Sequence, residues 1–385
     1  MPFLTKERTL FRLFGLPIKA NLSWLFLVAL VWVSLALGYF PGEYGFGPGR
    51  PWFIYWLYGL VGATGLFASL IAHEMCHSLV ARATGMPVAG ITLFIFGGVS
   101  QLRDEPPTAG AEFLMAVVGP LSSVLIGTIF GVLWFLARSR GWGDGPRALI
   151  LYLFIVNFAL AGFNSLPAFP LDGGRVVRSV LWGITDDLRF ATHVAATVGS
   201  FFGFGLIALG LIGLFYGAGF AALWAVVLGF FLRQAARGSL QMVVLRQHLE
   251  GERVSDFMTT NVVTVPRDLD VQEFVDRYVF HHRFTCYPVV DREGNVLGIV
   301  SARAPRELES EDWSRTTVGE LMQELDETMT LDPDVDAVDA LSLLRQREES
   351  RGIVVEDGKP VGILSLRDLL QFLALKIDLE PRTRL

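Results

Sequence analysis

Six long apolar runs divide roughly the first 240 residues, and they restrict the fold of this chain more than any other feature. They cover about 22–40, 53–82, 111–137, 148–166, 195–215 and 220–232. Backbone polar groups inside lipid must be bonded within the protein, and a helix bonds all of its own. About twenty residues of helix cross the hydrocarbon core. With 52% hydrophobic and 18% charged residues the chain is too apolar overall for a soluble protein. The apolar content is uneven, because residues beyond about 250 have an ordinary soluble composition. The expected fold is an α-helical multipass membrane protein of about six transmembrane helices, followed by a soluble α/β part. The formal charge of −6 comes from that second part, which argues against nucleic-acid binding. Two cysteines cannot build a disulfide framework, and Cys76 reads as helix packing.

The second run holds Ala72-His73-Glu74-Met75-Cys76-His77-Ser78. Four residues is about one helical turn, so His73 and His77 project from one face. Two imidazoles so placed can share one divalent ion, and Zn²⁺ suits nitrogen ligands. Glu74 flanks that ion and can hold a water as general base. Such a short match also arises by chance. Ionisable groups at mid-bilayer each cost roughly 2.5–3.5 kcal/mol, so here the functional reading is the stronger one. A third ligand is offered by Asn164-Ser165-Leu166-Pro167-Ala168-Phe169-Pro170-Leu171-Asp172-Gly173-Gly174. Its prolines break the fourth run, and its glycines permit a tight turn that can hold Asp172 against another helix. The plain alternative is a helix-ending loop with Asp172 as the next cap.

Together, His73-Glu74-x-x-His77 and, about ninety residues on, Asn164-x-x-Pro167-x-x-Pro170-Leu171-Asp172-Gly173-Gly174 resemble the site-2 protease family of intramembrane zinc metalloproteases, over roughly residues 8–240. The resemblance implies that His73, His77 and Asp172 bind zinc, that Glu74 activates water, and that Asn164 helps to position the scissile carbonyl.

The N-terminus carries Lys6, Arg8, Arg12 and Lys19 against Glu7, which suits a cytoplasmic start ahead of the first span. Six spans return the chain to the same side, so both termini and the soluble part are expected in the cytoplasm. Eleven basic residues on that side against four on the other support this orientation, although Arg138, Arg140 and Arg147 work against it. The segment from Val88 to Leu102 is too short for a span. It reads either as a hairpin whose edge holds an extended substrate peptide or as an interfacial loop. Glu112 reads as a charge capping the third helix. Asn157 and Asn164 share a helix face, with Asn157 as an interhelical contact. His193, at the end of an amphipathic stretch after Gly174, is a rival third ligand without a supporting motif.

From Val254 a β-rich and helical pattern occurs twice. One copy contains Tyr287-Pro288-Val289-Val290 and Gly298-Ile299-Val300-Ser301, the other Gly352-Ile353-Val354-Val355 and Gly362-Ile363-Leu364-Ser365. This resembles a tandem pair of CBS domains, which implies an adenine nucleotide held between the copies and a ribose contact from Ser365 and Asp368. In the first copy Ala304 stands where that Asp would be. A structural or homodimerising pair remains the alternative.

The expected domains are 1–245 for the zinc metalloprotease, 254–308 for the first CBS domain and 315–377 for the second. The expected function is intramembrane cleavage of another protein's transmembrane segment within the cell membrane (regulated intramembrane proteolysis), with a CBS-gated transporter or channel as the rival.

Overall fold

The computed structural model describes residues 7–102, 106–217, 219–249, 251–325, 330–345, 351–365 and 369. It divides into two compact units, Met1–Val243 and Val244–Leu385.

Among the described residues, six helices are long and apolar enough to cross a membrane. They are α1 (Leu22–Ser34, continued by a wide turn over Leu35–Tyr39), α2 (Trp52–Ala83), α3 (Ala109–Ser139), α4 (Asp144–Asn164), α6 (Leu188–Phe215) and α7 (Gly219–Leu249), with the short α5 (Asp172–Thr185) between α4 and α6. Their outward faces carry exposed Phe135, Phe201, Leu209 and Phe215, a surface that lipid rather than water suits. The starts of α1 and α3 are capped as their sequences dictate. Asn21 accepts from Ser23 N at 3.0 Å and Thr108 from Ala111 N at 3.1 Å.

Two helices depart from the expected spans. The amphipathic stretch after Gly174 does not run on to His193. Asp186 turns left-handed at φ 56°, and Asp187 caps a new helix by accepting from Phe190 N at 2.9 Å. Arg189 and His193 therefore belong to the first turns of α6. The last helix continues past Leu232 to Leu249, because Arg233 and Arg237 end the apolar run without breaking the helix.

Residues 8–20, read as a basic extension, fold instead into a hairpin of β1 (Arg8–Leu13) and β2 (Leu16–Ala20). It joins β3 (Val88–Phe94) and β4 (Gly97–Leu102) in one sheet of order β1-β2-β3-β4. The pair β2–β3 is parallel and β3–β4 antiparallel. Alternate residues Leu16, Ile18 and Ala20 turn inward with Ile91 and Leu93 against Met75 of α2, the helix that carries the His pair. Among the described residues β4 pairs with β3 alone, leaving an edge.

Buried polar groups tie the helices together. Asn157 Nδ2 donates to Ser69 Oγ at 3.1 Å, joining α4 to α2. Glu112 does more than charge a helix end. It accepts from Arg178 Nε of α5 at 2.6 Å, and both side chains are buried, with Arg178 5.2 Å from the centre of the Phe169 ring. Breaking a buried pair from one side costs about 3–5 kcal/mol, more than the pair adds over an apolar substitute. Arg178→Ala is therefore expected to lower the unfolding midpoint in detergent by roughly 10 °C. Arg178→Met combined with Glu112→Leu should recover most of the loss; a double variant no better than the single one would contradict this account.

In the second unit each copy is a small mixed sheet. The first has order β5-β6-β7-β8, from β5 (Val265–Pro266), β6 (Cys286–Val290), β7 (Val296–Ser301) and β8 (Gln323–Glu324). The second has order β11-β10-β9, from β9 (Thr330–Leu331), β10 (Arg351–Glu356) and β11 (Lys359–Ser365). In each, a short strand runs parallel to the first strand of an antiparallel hairpin. The copies exchange their leading segments. Thr259 pairs with Ile363, and Val254 N donates to Val335 O at 3.0 Å. In return Val318 N donates to Leu269 O at 2.8 Å, and the Val318 side chain enters the first copy's core beside Val271, Phe274 and Tyr287.

Candidate active site

Helix α2 runs unbroken through thirty-two residues and sets His73 and His77 one above the other, both buried. Asp172 reaches them from the first residue of α5. The loop before it is folded back so tightly that a Cβ on Gly173 would lie 2.3 Å from Ser165 O, and one on Gly174 2.3 Å from Phe169 N. No residue but glycine fits there, and this close approach fixes Asp172.

Asp172 Oδ2 lies 3.1 Å from His73 Nε2 and 3.2 Å from His77 Nε2, and the two nitrogens are 3.2 Å apart. His77 Nδ1 donates to the Met115 carbonyl at 2.6 Å, which leaves its Nε2 bearing a lone pair. His73 Nδ1 pairs with Ser123 Oγ at 2.9 Å. Three electron-pair donors thus converge with a cation as the natural partner. Tetrahedral zinc with ligands at about 2.0–2.1 Å sets its donors roughly 3.3–3.4 Å apart, so the residues fit that ion.

Glu74 stands beside this triangle. Ser100 Oγ of β4 donates to its Oε2 at 2.9 Å. The base candidate therefore sits between the metal ligands and the edge strand.

His73, His77 and Asp172 are the only His, Cys, Asp and Glu group able to hold an ion among the described residues. His193 is exposed and Cys76 half-buried, each outside that group. Asn164 ends α4, half-buried, with no side-chain bond to the His pair among the described residues. Ser365 is buried at the end of β11, while Asp368 lies outside the described residues.

Sequence reasoning missed the supports. Gly119 of α3 presses on the site, since a Cβ there would lie 2.1 Å from His77 Nε2. Ser123 and Gly127 follow at four-residue intervals, and this stripe of small buried residues signals close helix approach. Gly98, where a Cβ would come 2.9 Å from Glu74 Cγ, gave no comparable signal.

The sequence profile of peptidase family M50 matches residues 61–141 and 136–209, which contain His73, Glu74, His77 and Asp172. That of the CBS domain matches residues 254–304 and 318–375. Rip3 of Mycobacterium tuberculosis, whose name describes a zinc metalloprotease, is 35% identical over 359 residues, 92% of this chain and 90% of Rip3. The chain belongs to peptidase family M50. This M50 chain is also 28% identical over 369 residues to the zinc metalloprotease MJ0392 of Methanocaldococcus jannaschii, covering 95% of this chain and 96% of that protein. A solved site-2 protease from Methanocaldococcus jannaschii aligns at a TM-score of 0.43 with 24% identity, over 60% of this chain and 94% of its own. This M50 member is a multipass membrane zinc metalloprotease with a tandem CBS pair.

Proposed function

We propose that this protease cuts a transmembrane segment of another membrane protein, with His73, His77 and Asp172 holding zinc and Glu74 as general base. The convergence of Oδ2 and two Nε2 atoms at 3.1–3.2 Å, on the helix that also carries the Glu74 carboxylate, carries the reading. When bound, zinc polarises the scissile carbonyl and lowers the pKa of the attacking water. Glu74 takes that water's proton and passes it to the leaving amine. Asn164 at the end of α4 steadies the carbonyl. A helix in lipid has its backbone fully bonded, so the substrate must unwind before it can be cut. The edge of β4, next to Glu74, can receive the unwound segment by strand addition. A transporter has no need of a base beside its ligands.

The assignment extends to 1–245 as the protease domain, with both termini cytoplasmic, and to 254–308 and 315–377 as CBS domains. The CBS pair takes an adenine nucleotide, with Ser365 and Asp368 on the ribose, and a homodimer forms through that pair.

The test incubates purified full-length protein in proteoliposomes with single-span substrates. Cleavage within the span, lost on chelation and restored by zinc, is expected, with a rate that changes when AMP or ATP is added. Metal uptake into sealed vesicles without cleavage would overturn the peptidase reading, and an unchanged rate would overturn nucleotide control.

A further inference from the structure

We infer that Ser100, on the edge strand β4, is a positioning residue that holds the Glu74 carboxylate in working orientation through a hydroxyl relay from Ser78. The inference rests on Glu74 being the base. Ser78 Oγ donates to Ser100 Oγ at 3.1 Å, and Ser100 Oγ donates onward to Glu74 Oε2 at 2.9 Å, with the Glu74 carbonyl 3.1 Å away as a second acceptor. A hydroxyl has one proton to give. The bond from Ser78 occupies the Ser100 oxygen as an acceptor and leaves its proton for Glu74. With Oε2 so engaged, Oε1 is the oxygen free for proton traffic.

The surroundings enforce this arrangement. Gly98 is two residues before Ser100 on the same face of β4, and a Cβ there would come 2.9 Å from Glu74 Cγ. The strand thus presses on the base with one residue and bonds it with the next on that face. Ser78 is buried on α2 one turn beyond Glu74, so the relay closes between one helix and one strand. Among the described residues, the strand is also the open edge of its sheet. An extended segment paired along β4 would fix its backbone and, through Ser100, the rotamer of the base. Substrate docking and base alignment then become one event.

Ser100→Ala separates this role from packing. Strand addition uses the backbone, so KM should stay within about twofold and zinc at one ion per chain. The turnover number should fall roughly 10–100-fold, as for other residues that orient a metal site. Ser100→Thr, which keeps the hydroxyl, should return most of it. Ser78→Ala should cost less, and the double variant no more than Ser100→Ala alone, since both remove one relay. Turnover within twofold of wild type in Ser100→Ala, a loss lying wholly in KM, or additive losses in the double variant would overturn the inference. Glu74→Gln, measured alongside, keeps the two readings apart. If it cleaves normally, the base assignment fails; if it is dead while Ser100→Ala is normal, only the relay fails.

Discussion

Glu74→Gln is expected to keep zinc at one ion per chain and to lose cleavage by roughly 10²–10⁴-fold, the range that a positioned general base supplies. The substitution is nearly isosteric. The three converging donor atoms belong to His73, His77 and Asp172, so metal binding does not require a charge at position 74. A glutamine oxygen can still accept from Ser100, and the side chain can stay beside Gly98. What it lacks is an oxygen basic enough to take a proton from water. Metal analysis of purified protein and a gel assay of a single-span substrate decide the matter together. Zinc lost along with activity would make Glu74 a ligand, and activity retained would make it a bystander.

Gly119→Ala is expected to lose both the metal and the activity while sparing the fold. A methyl at 2.1 Å from His77 Nε2 and 2.8 Å from His73 Nε2 cannot coexist with these ring positions. The rings are the movable party, because α3 is a continuous helix and the clash falls on side-chain ends. Moving them breaks the bonds from His77 to the Met115 carbonyl and from His73 to Ser123. Loss of such orienting partners typically costs 10–100-fold in metal affinity, and here two go at once. The overpacking itself costs only about 1–3 kcal/mol, so the chain should still purify as folded protein. Zinc content after dialysis against a weak chelator, read beside the unfolding midpoint, tests this. Full zinc retention would mean that α3 yields instead.

Much of the site was legible because its chemistry is concentrated in short spacings. One helical turn between His73 and His77 needs no tertiary knowledge, and the Pro and Gly residues around Asp172 announce a broken helix. The six apolar runs likewise fix the number of spanning helices. The misses share a cause. Arg178 sits in the amphipathic stretch after Gly174, where a cation needs no special account, yet α5 lies where Glu112 of α3 can neutralise it. Nothing local to either residue records that partner. The hairpin 8–20 was hidden because its strand β1 is exposed along its whole length, so basic and apolar residues mix without an inward face. Ser123 and Ser100 act on groups fifty and twenty-six residues away, a relation that only the fold creates.

The crossed leading segments of the second unit make its two repeats indivisible. Severing the chain between them would not release two autonomous modules. One half would lose Val318 from its interior, and the other would lose the backbone partner that Thr259 supplies to Ile363. Tightening at either end of this knot is therefore felt at the other.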